Sequence, residues 1–147
     1  MSDTQEKRAD ELADTFELFD EWEDRYAFLI DLGRKIPPLD ETERTEESRV
    51  HGCQSRVWLV ARARPGGVID FVADSDSSIV KGLIAVLQQV YSGYPAEEIL
   101  GFDVEALFAR LGLDQHLTLG RRNGLHEMVR RIRRLAAAHA REAVAAG

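Results

Sequence analysis

The first forty residues contain two stretches in which apolar positions recur at helical spacing. In the first stretch four residues at i, i+3, i+4 and i+7 share one helix face; they are Ala9, Leu12, Ala13 and Phe16. The second predicted helix begins after Asp20, where Glu23 supplies a capping-box signal. It ends before Pro37, because proline has no N–H and its ring clashes with the preceding turn. Residues 1–7 precede the first stripe, and we expect them to form a flexible tail.

Between residues 56 and 73 the apolar period changes from helical to alternating. In residues 56–64 every second side chain is apolar and shares one face; these are Val57, Leu59, Ala61 and Ala63. Such alternation is typical of a strand with one buried face. The Pro-Gly-Gly sequence at 65–67 supplies a turn, and residues 68–73 alternate again, which predicts a hairpin. A short strand at 49–51 would complete a three-stranded meander.

The remainder of the chain has helical periodicity. The sequence DSDSS at 74–78 offers several N-caps for a strongly apolar helix over 79–91. Asp103 can cap a short helix through Leu111, and a last helix is expected over about 121–141. We therefore predict a single domain of residues 1–147 in the α+β class. It should contain a small three-stranded antiparallel sheet with helices packed on one face.

Length and composition narrow the class of protein. At 147 residues the chain has the size of one domain. It contains no run of about 18 apolar residues, so the sequence predicts no membrane-spanning helix. The charged N-terminus has no apolar segment of the kind found in secretory signals. The lone Cys53 cannot close an internal disulfide, and Cys and His are not grouped as metal ligands. Together these features favour a cytoplasmic protein without a bound metal.

Charge is unevenly distributed. The net charge of −7 argues against general affinity for nucleic acid. Residues 1–47 carry 16 acidic and 6 basic side chains, whereas residues 48–147 carry 10 acidic and 13 basic ones. One basic cluster belongs to the last helix; it comprises Arg121, Arg122, Arg130, Arg131, Arg133 and Arg134. This asymmetry suggests an oriented encounter with a charged partner, although charge alone favours a solvated helix face.

The segment His51-Gly52-Cys53-Gln54-Ser55 is the main candidate for chemistry. It precedes the long strand, so Cys53 should lie on a turn at the sheet edge, where Gly52 can adopt positive φ. A thiolate at such a turn is a possible nucleophile. The alternative is that Cys53 is a small buried apolar residue, and the motif by itself favours that interpretation.

Histidine could assist the thiol, but the spacing selects no particular partner. The chain has His51, His116, His126 and His139, and no two of them stand at i, i+4. In an extended segment His51 would share a face with Cys53 and could tune it. The alternative is an exposed histidine at the sheet edge.

Residues 50–58 (VHGCQSRVW) resemble the cysteine-loop signature of the SufE-like sulfur acceptors. Three further segments are similar to that family in the same order: 26–38 (YAFLIDLGRKIPP), 73–87 (ADSDSSIVKGLIAVL) and 115–128 (QHLTLGRRNGLHEM). Together they cover most of residues 22–135. Two departures are modest: His51 stands where relatives often have another polar residue, and Leu119-Gly120 replaces a more usual Pro-Ser-like pair.

The resemblance implies a fold similar to that of the U-type iron–sulfur scaffold proteins. It also implies a function in sulfur transfer. In the family the loop cysteine takes sulfur from the persulfide of a PLP-dependent cysteine desulfurase and stimulates that enzyme. It then passes the sulfur to an iron–sulfur cluster assembly scaffold. Cys53 is the matching acceptor, supported by loop residues His51, Gly52, Gln54 and Ser55.

The resemblance also implies roles for two residues outside the loop. Arg121 matches an arginine near the desulfurase interface, and Asp74 matches an aspartate that caps the central helix and influences the loop. We expect the protein to bind no cofactor of its own and to show no turnover without the desulfurase. We also expect it to be a monomer or a weak homodimer.

Two other functions are open at this point. The chain could be an adaptor that binds a desulfurase or target enzyme without carrying sulfur. It could also be a cysteine hydrolase, for which nothing in the sequence selects the histidine and orienting residue that such an enzyme needs. Persulfide formation on Cys53 distinguishes the carrier from the adaptor, and turnover of a peptide or ester without a partner would indicate the hydrolase. A single cysteine with no resolving partner suits a carrier, since its persulfide cannot be lost to an internal disulfide.

Overall fold

A computed structural model describes residues 4–146, with side chains as far as residue 143. The elements in chain order are α1 (Gln5–Glu17), α2 (Trp22–Arg34), β1 (Val57–Arg64), β2 (Val68–Ser75), α3 (Ser78–Tyr91), β3 (Tyr94–Pro95), α4 (Ala96–Gly101), α5 (Val104–Leu111), α6 (Leu113–His116) and α7 (Leu119–Ala146). The α+β class is confirmed. A 3₁₀ turn at Glu41–Glu43 lies in the long connection between α2 and β1.

The sheet is antiparallel in the order β1-β2-β3, as the hairpin pattern predicts for its first two strands. Val57 lies opposite Ser75, and the pairing continues to Arg64 opposite Val68 at the Pro-Gly-Gly turn. The apolar face of the hairpin is buried under the helices.

The third strand is not the segment 49–51, and that prediction is wrong. Arg49 makes only an isolated bridge with Trp58, because the chain turns away at Gly52, whose φ is 88°. β3 instead follows α3: a turn at Gly93 brings Tyr94 opposite Ile69 on the free edge of β2. The third strand of the sheet is therefore only two residues long. Two residues are too few to show an alternating pattern in the sequence.

The core is built around α3, whose apolar residues point to more than one side. Its buried residues include Leu83, Val86 and Val90. α2 crosses α3 at very short range, since a Cβ added to Gly82 would lie 2.3 Å from the carbonyl oxygen of Leu29. Glycine is required there because any side chain would push the two helices apart.

The N-terminus is ordered earlier than expected. Residues 5–7 belong to α1, which Thr4 caps by accepting a 3.1 Å hydrogen bond from the Lys7 N–H. The side-chain amide of Gln5 is buried and donates to the carbonyl of Val90 over 2.8 Å, which anchors the start of the helix. The expected flexible tail thus does not include residues 5–7, and residues 1–3 lie outside the described part.

None of the helices in residues 4–146 is both long enough and apolar enough to cross a membrane.

Candidate functional site

The segment 51–55, here called the Cys53 loop, is closed at its base by strand-like hydrogen bonds. The N–H of Val50 donates to the carbonyl of Val57 over 2.8 Å, and the N–H of Arg56 donates to Oδ1 of Asp76 over 3.0 Å. No backbone–backbone hydrogen bond joins the loop to α7 in the described chain. The loop is therefore fixed at its two ends and rests on α7 mainly through side chains.

Two glycines on α7 face the loop: Gly120 makes room for it, and Gly124 lies against it at an ordinary contact distance. A Cβ added to Gly120 would lie 2.2 Å from the side-chain amide carbon of Gln54. A Cβ added to Gly124 would lie 3.4 Å from Sγ of Cys53. Because Gly120 and Gly124 are four residues apart, they share one helix face, which we call the glycine seat.

Cys53 is half-buried in a cleft between its loop and the glycine seat. Its thiol lies 3.7 Å from the carbonyl oxygen of Gly124 and donates toward it. The space left in the cleft is about 10 Å³, about what one water molecule needs. Its lining is mostly apolar and consists of Cys53, Gln54, Ser55, Val57, Val80, Leu83, Gly120, Arg121, Gly124, Leu125 and Met128.

Burial is the main influence on the acidity of this thiol. Loss of solvent raises the pKa of Cys53, and the negative charge of Glu127 raises that pKa further. The guanidinium of Arg49 acts in the opposite direction and lowers it. At rest the site therefore holds a protonated thiol rather than a thiolate.

The histidines are not positioned to act on Cys53. Nε2 of His51 lies 2.8 Å from Oε1 of Glu46, with both side chains exposed. The ring of His116 stacks on Trp22, and Nε2 of His126 lies 3.5 Å from Asp114. His139 lies in a different cavity, near the end of α7.

Arg121 lies at the mouth of the Cys53 cleft. Its backbone N–H donates to Oγ1 of Thr118, but its exposed guanidinium has no ion pair within the described residues. Leu119, the first residue of α7, precedes Arg121 by two residues, and its side chain is 63% exposed. An unpaired cation thus lines the cleft, and an exposed apolar side chain lies two residues before it in the chain, a combination of residue types that is common at protein interfaces.

Most of the basic cluster has a structural task instead. Arg131 donates to the carbonyls of Glu47 and Arg49, and so ties the chain before the loop to α7. Three other members contact neighbours: Arg122 donates to the carbonyl of Asp114, Arg130 pairs with Glu127, and Arg133 donates to the carbonyl of Phe102.

Asp74 does not cap α3, contrary to the expectation from the resemblance. The cap is Ser77, whose hydroxyl accepts from the N–H of Val80. Asp74 lies in β2 opposite Trp58, nearly buried, and forms an ion pair with Arg44. The strand runs two residues further than the alternating pattern indicated, so the carboxylate falls within the sheet.

Three contributors to the site were not identified from the sequence: the glycine seat, Glu127 and Arg49. The i, i+4 spacing of Gly120 and Gly124 was an available signal, since two glycines on one face of a helix permit close approach of another segment. Glu127 and Arg49 carried no local signal, because their effect depends on how the loop folds back on α7. Within residues 4–146 no cluster of three or more His, Cys, Asp or Glu side chains could hold a metal ion.

The sequence profile and the two relatives described next all point to one protein family. The sequence profile of SufE, described as the Fe-S metabolism associated domain, matches residues 10–136. An uncharacterized SufE-like protein of Rhizobium etli is 44% identical over 127 residues, which cover 84% of this chain and 86% of the relative. A second, from Rhizobium meliloti, is 42% identical and covers 84% and 91%.

A solved structure supports the fold alone. The solution structure of a hypothetical protein from Thermus thermophilus superposes with a TM-score of 0.74 at 21% identity. The match covers 90% of this chain and 96% of that one.

Proposed function

This chain belongs to the SufE family, the Fe-S metabolism associated domain, and on that premise we propose that it is a sulfur carrier. Cys53 accepts sulfur from the persulfide of a PLP-dependent cysteine desulfurase and passes it to an iron–sulfur assembly scaffold. The observation that carries the proposal is the position of Cys53, the only cysteine, on a loop fixed at both ends and resting on the glycine seat. The cytoplasm, where thiols stay reduced, is the compartment that suits this chemistry.

The transfer needs no oxidant or reductant. The Cys53 thiolate attacks the outer sulfur of the desulfurase persulfide, and a new S–S bond forms as the old one breaks. The desulfurase cysteine leaves as a thiolate, and the proton lost by Cys53 returns to solvent or to that leaving group. Onward transfer repeats the exchange with Cys53 as the leaving group.

Shelter and delivery require two positions of the loop. At rest the thiol faces an apolar cleft with little free space, which limits oxidation. Inside a desulfurase it must be exposed and deprotonated. Because the loop has no backbone–backbone hydrogen bond to α7, it can leave the seat without breaking secondary structure.

Docking next to the loop is the second part of the proposal. Arg121 and Leu119 lie beside the cleft and are free to contact a partner, so a desulfurase that binds there would meet Cys53 directly. Gln54 and Ser55 line the same cleft, and Gly52 provides the positive-φ turn that presents the thiol.

The hydrolase alternative lacks its catalytic partner. No histidine within the described residues contacts Cys53 or influences its pKa, whereas a Cys–His enzyme needs an imidazole within hydrogen-bond reach.

The adaptor alternative is tested by desulfurase turnover. Alanine release from cysteine is measured with the desulfurase alone, with the parent chain, and with Cys53→Ser. A carrier requires that the parent stimulates turnover and that Cys53→Ser does not, while both variants still bind. Full stimulation by Cys53→Ser would establish the adaptor and reject the carrier.

A further inference from the structure

Glu127 is the residue that a side chain built on Gly52, at the turn of the Cys53 loop, would meet first. It lies one turn beyond Gly124 on α7, and a Cβ added to Gly52 would lie 2.9 Å from its Cγ. The Glu127 side chain is 28% exposed and pairs with Arg130, which is itself 68% exposed. A partly buried carboxylate therefore lies directly under the loop, and its counter-ion is mostly in solvent.

We propose that Glu127 is a positioning residue that lowers the thiolate fraction of Cys53 while the loop rests on α7, and that this fraction rises when the loop leaves the helix. The inference rests on the proposed function, because it assigns a resting and an active state to the acceptor thiol. Glu127 does not touch the transferred sulfur; it acts through the charge that Cys53 meets at rest.

The charges around the thiol come from three elements. Glu127 on α7 opposes ionisation, and Arg49, in the segment before the loop, favours it. Arg121 lines the cleft at the start of α7, and His51 in the loop itself is paired with Glu46. Burial and Glu127 together outweigh Arg49, since the pKa of Cys53 is raised.

Geometry makes this influence specific to the resting state. Glu127 belongs to the 28-residue helix α7, whereas Cys53 belongs to a loop whose backbone hydrogen bonds to other elements lie at its ends. When the loop leaves the seat, the carboxylate stays behind and solvent reaches the thiol. Both effects that oppose ionisation are then removed together, while Arg49 remains in the segment from which the loop extends.

Alkylation of the free protein with iodoacetamide tests the proposal, because a neutral reagent is not itself attracted or repelled by Glu127. Rates are measured across pH for the parent and for Glu127→Gln, which keeps the size of the side chain. We expect the midpoint of the profile to move to lower pH and the rate at pH 7 to rise about two- to tenfold. The plateau at high pH should not change.

The control is Glu98→Gln, which removes the same charge from an exposed position on α4 and should leave the profile as in the parent. An unchanged midpoint in Glu127→Gln overturns the proposal. A rate raised by the same factor at every pH also overturns it, because that result shows a loosened loop rather than a removed charge.

A second variant keeps the test valid if Glu127→Gln does not fold. Arg130→Gln removes the exposed counter-ion of Glu127, so the midpoint should move to higher pH; an unchanged midpoint contradicts the proposal. Persulfide formation on Cys53 in the presence of desulfurase is measured separately. A chain that accepts sulfur but shows no shift with Glu127→Gln rejects this inference and leaves the proposed function intact.

Discussion

Cys53 is a half-buried thiol whose pKa is raised by burial and by Glu127. Its thiol lies against a helix carbonyl and apolar side chains, and the base that a hydrolase would place next to it is not among the residues that contact it. The sequence marks Cys53 as a candidate for chemistry, and the family resemblance implies roles for Cys53 and Arg121. It does not identify Glu127, because that residue approaches Gly52 only after α7 has packed under the loop.

The raised pKa of Cys53 predicts a measurable pH dependence. Alkylation of the native protein should reach half its maximal rate at higher pH than alkylation of the same protein unfolded in urea. Since the folded-state pKa is the higher one, the contribution of this thiol to stability is complete below the unfolded pKa of about 8.5. It is then lost as pH rises through the folded value. Coinciding native and unfolded profiles would contradict the observed burial.

Arg121 should contribute to docking rather than to folding. Its guanidinium is exposed and unpaired among the described residues, so Arg121→Ala should weaken desulfurase binding by about three- to tenfold and shift Tm by less than about 2 °C. Binding is measured by titration calorimetry across a salt series. Arg134→Ala is the matched control: Arg134 is an exposed arginine of the same helix, about 20 Å further along. Equal binding by both variants would exclude a docking role for Arg121.

Among the secondary-structure elements, the hairpin and α7 are the two that position the Cys53 loop. The helical and alternating periods suffice to predict α1, α2, α3, α7 and the hairpin, because the apolar residues of each element recur at regular spacing along one face. Four-residue α6 and two-residue β3 are too short to show a period, so they follow from tertiary packing alone. The N-cap of α3 was ambiguous for a similar reason, since several residues of DSDSS are suited to the position.

Filling the glycine seat should release the loop without destabilising the domain. In Gly120→Ala the new methyl group displaces the side chain of Gln54 from α7, which removes one of the contacts between the loop and the helix, and alanine has a higher helix propensity than glycine. We expect faster alkylation of Cys53 at every pH, with Tm unchanged or higher. This differs from Glu127→Gln, which should shift the midpoint. The control is Gly101→Ala, where an added Cβ meets nothing within 4 Å. An unaltered alkylation rate in Gly120→Ala would show that the seat does not hold the loop.

Asp74 should stabilise the hairpin next to the loop. It lies opposite Trp58 in the sheet, and its partner Arg44 lies over the Trp58 ring, 5.4 Å from the centroid. Asp74→Asn removes the charge of a nearly buried ion pair and should cost about 1–3 kcal/mol. Thermal unfolding at neutral pH measures the loss. A Tm equal to that of the parent would show that the pair contributes nothing net.

At the scale of the whole molecule, charge is divided between structure and surface. The acidic excess belongs to the first 47 residues, while three of the six arginines of the basic cluster donate to carbonyls of other segments. Half of the cluster therefore ties segments of the fold together, which neither a charged partner nor a solvated helix face accounts for, and Arg121 is the member that lines the Cys53 cleft. The sequence predicted the class of fold because its apolar periods are strong. It could not divide the arginines between these roles, since their partners lie up to 84 residues away along the chain.

Peptide mass spectrometry tests whether Cys53 carries transferred sulfur. The chain is incubated with a cysteine desulfurase, PLP and cysteine, then quenched with an alkylating reagent and digested. We expect the alkylated peptide that contains Cys53 to be heavier by the mass of one sulfur atom than the same alkylated peptide from a parent chain that met no desulfurase. Cys53→Ser should gain none under the same conditions. A parent chain that stays unmodified while the desulfurase itself is persulfidated would contradict the account.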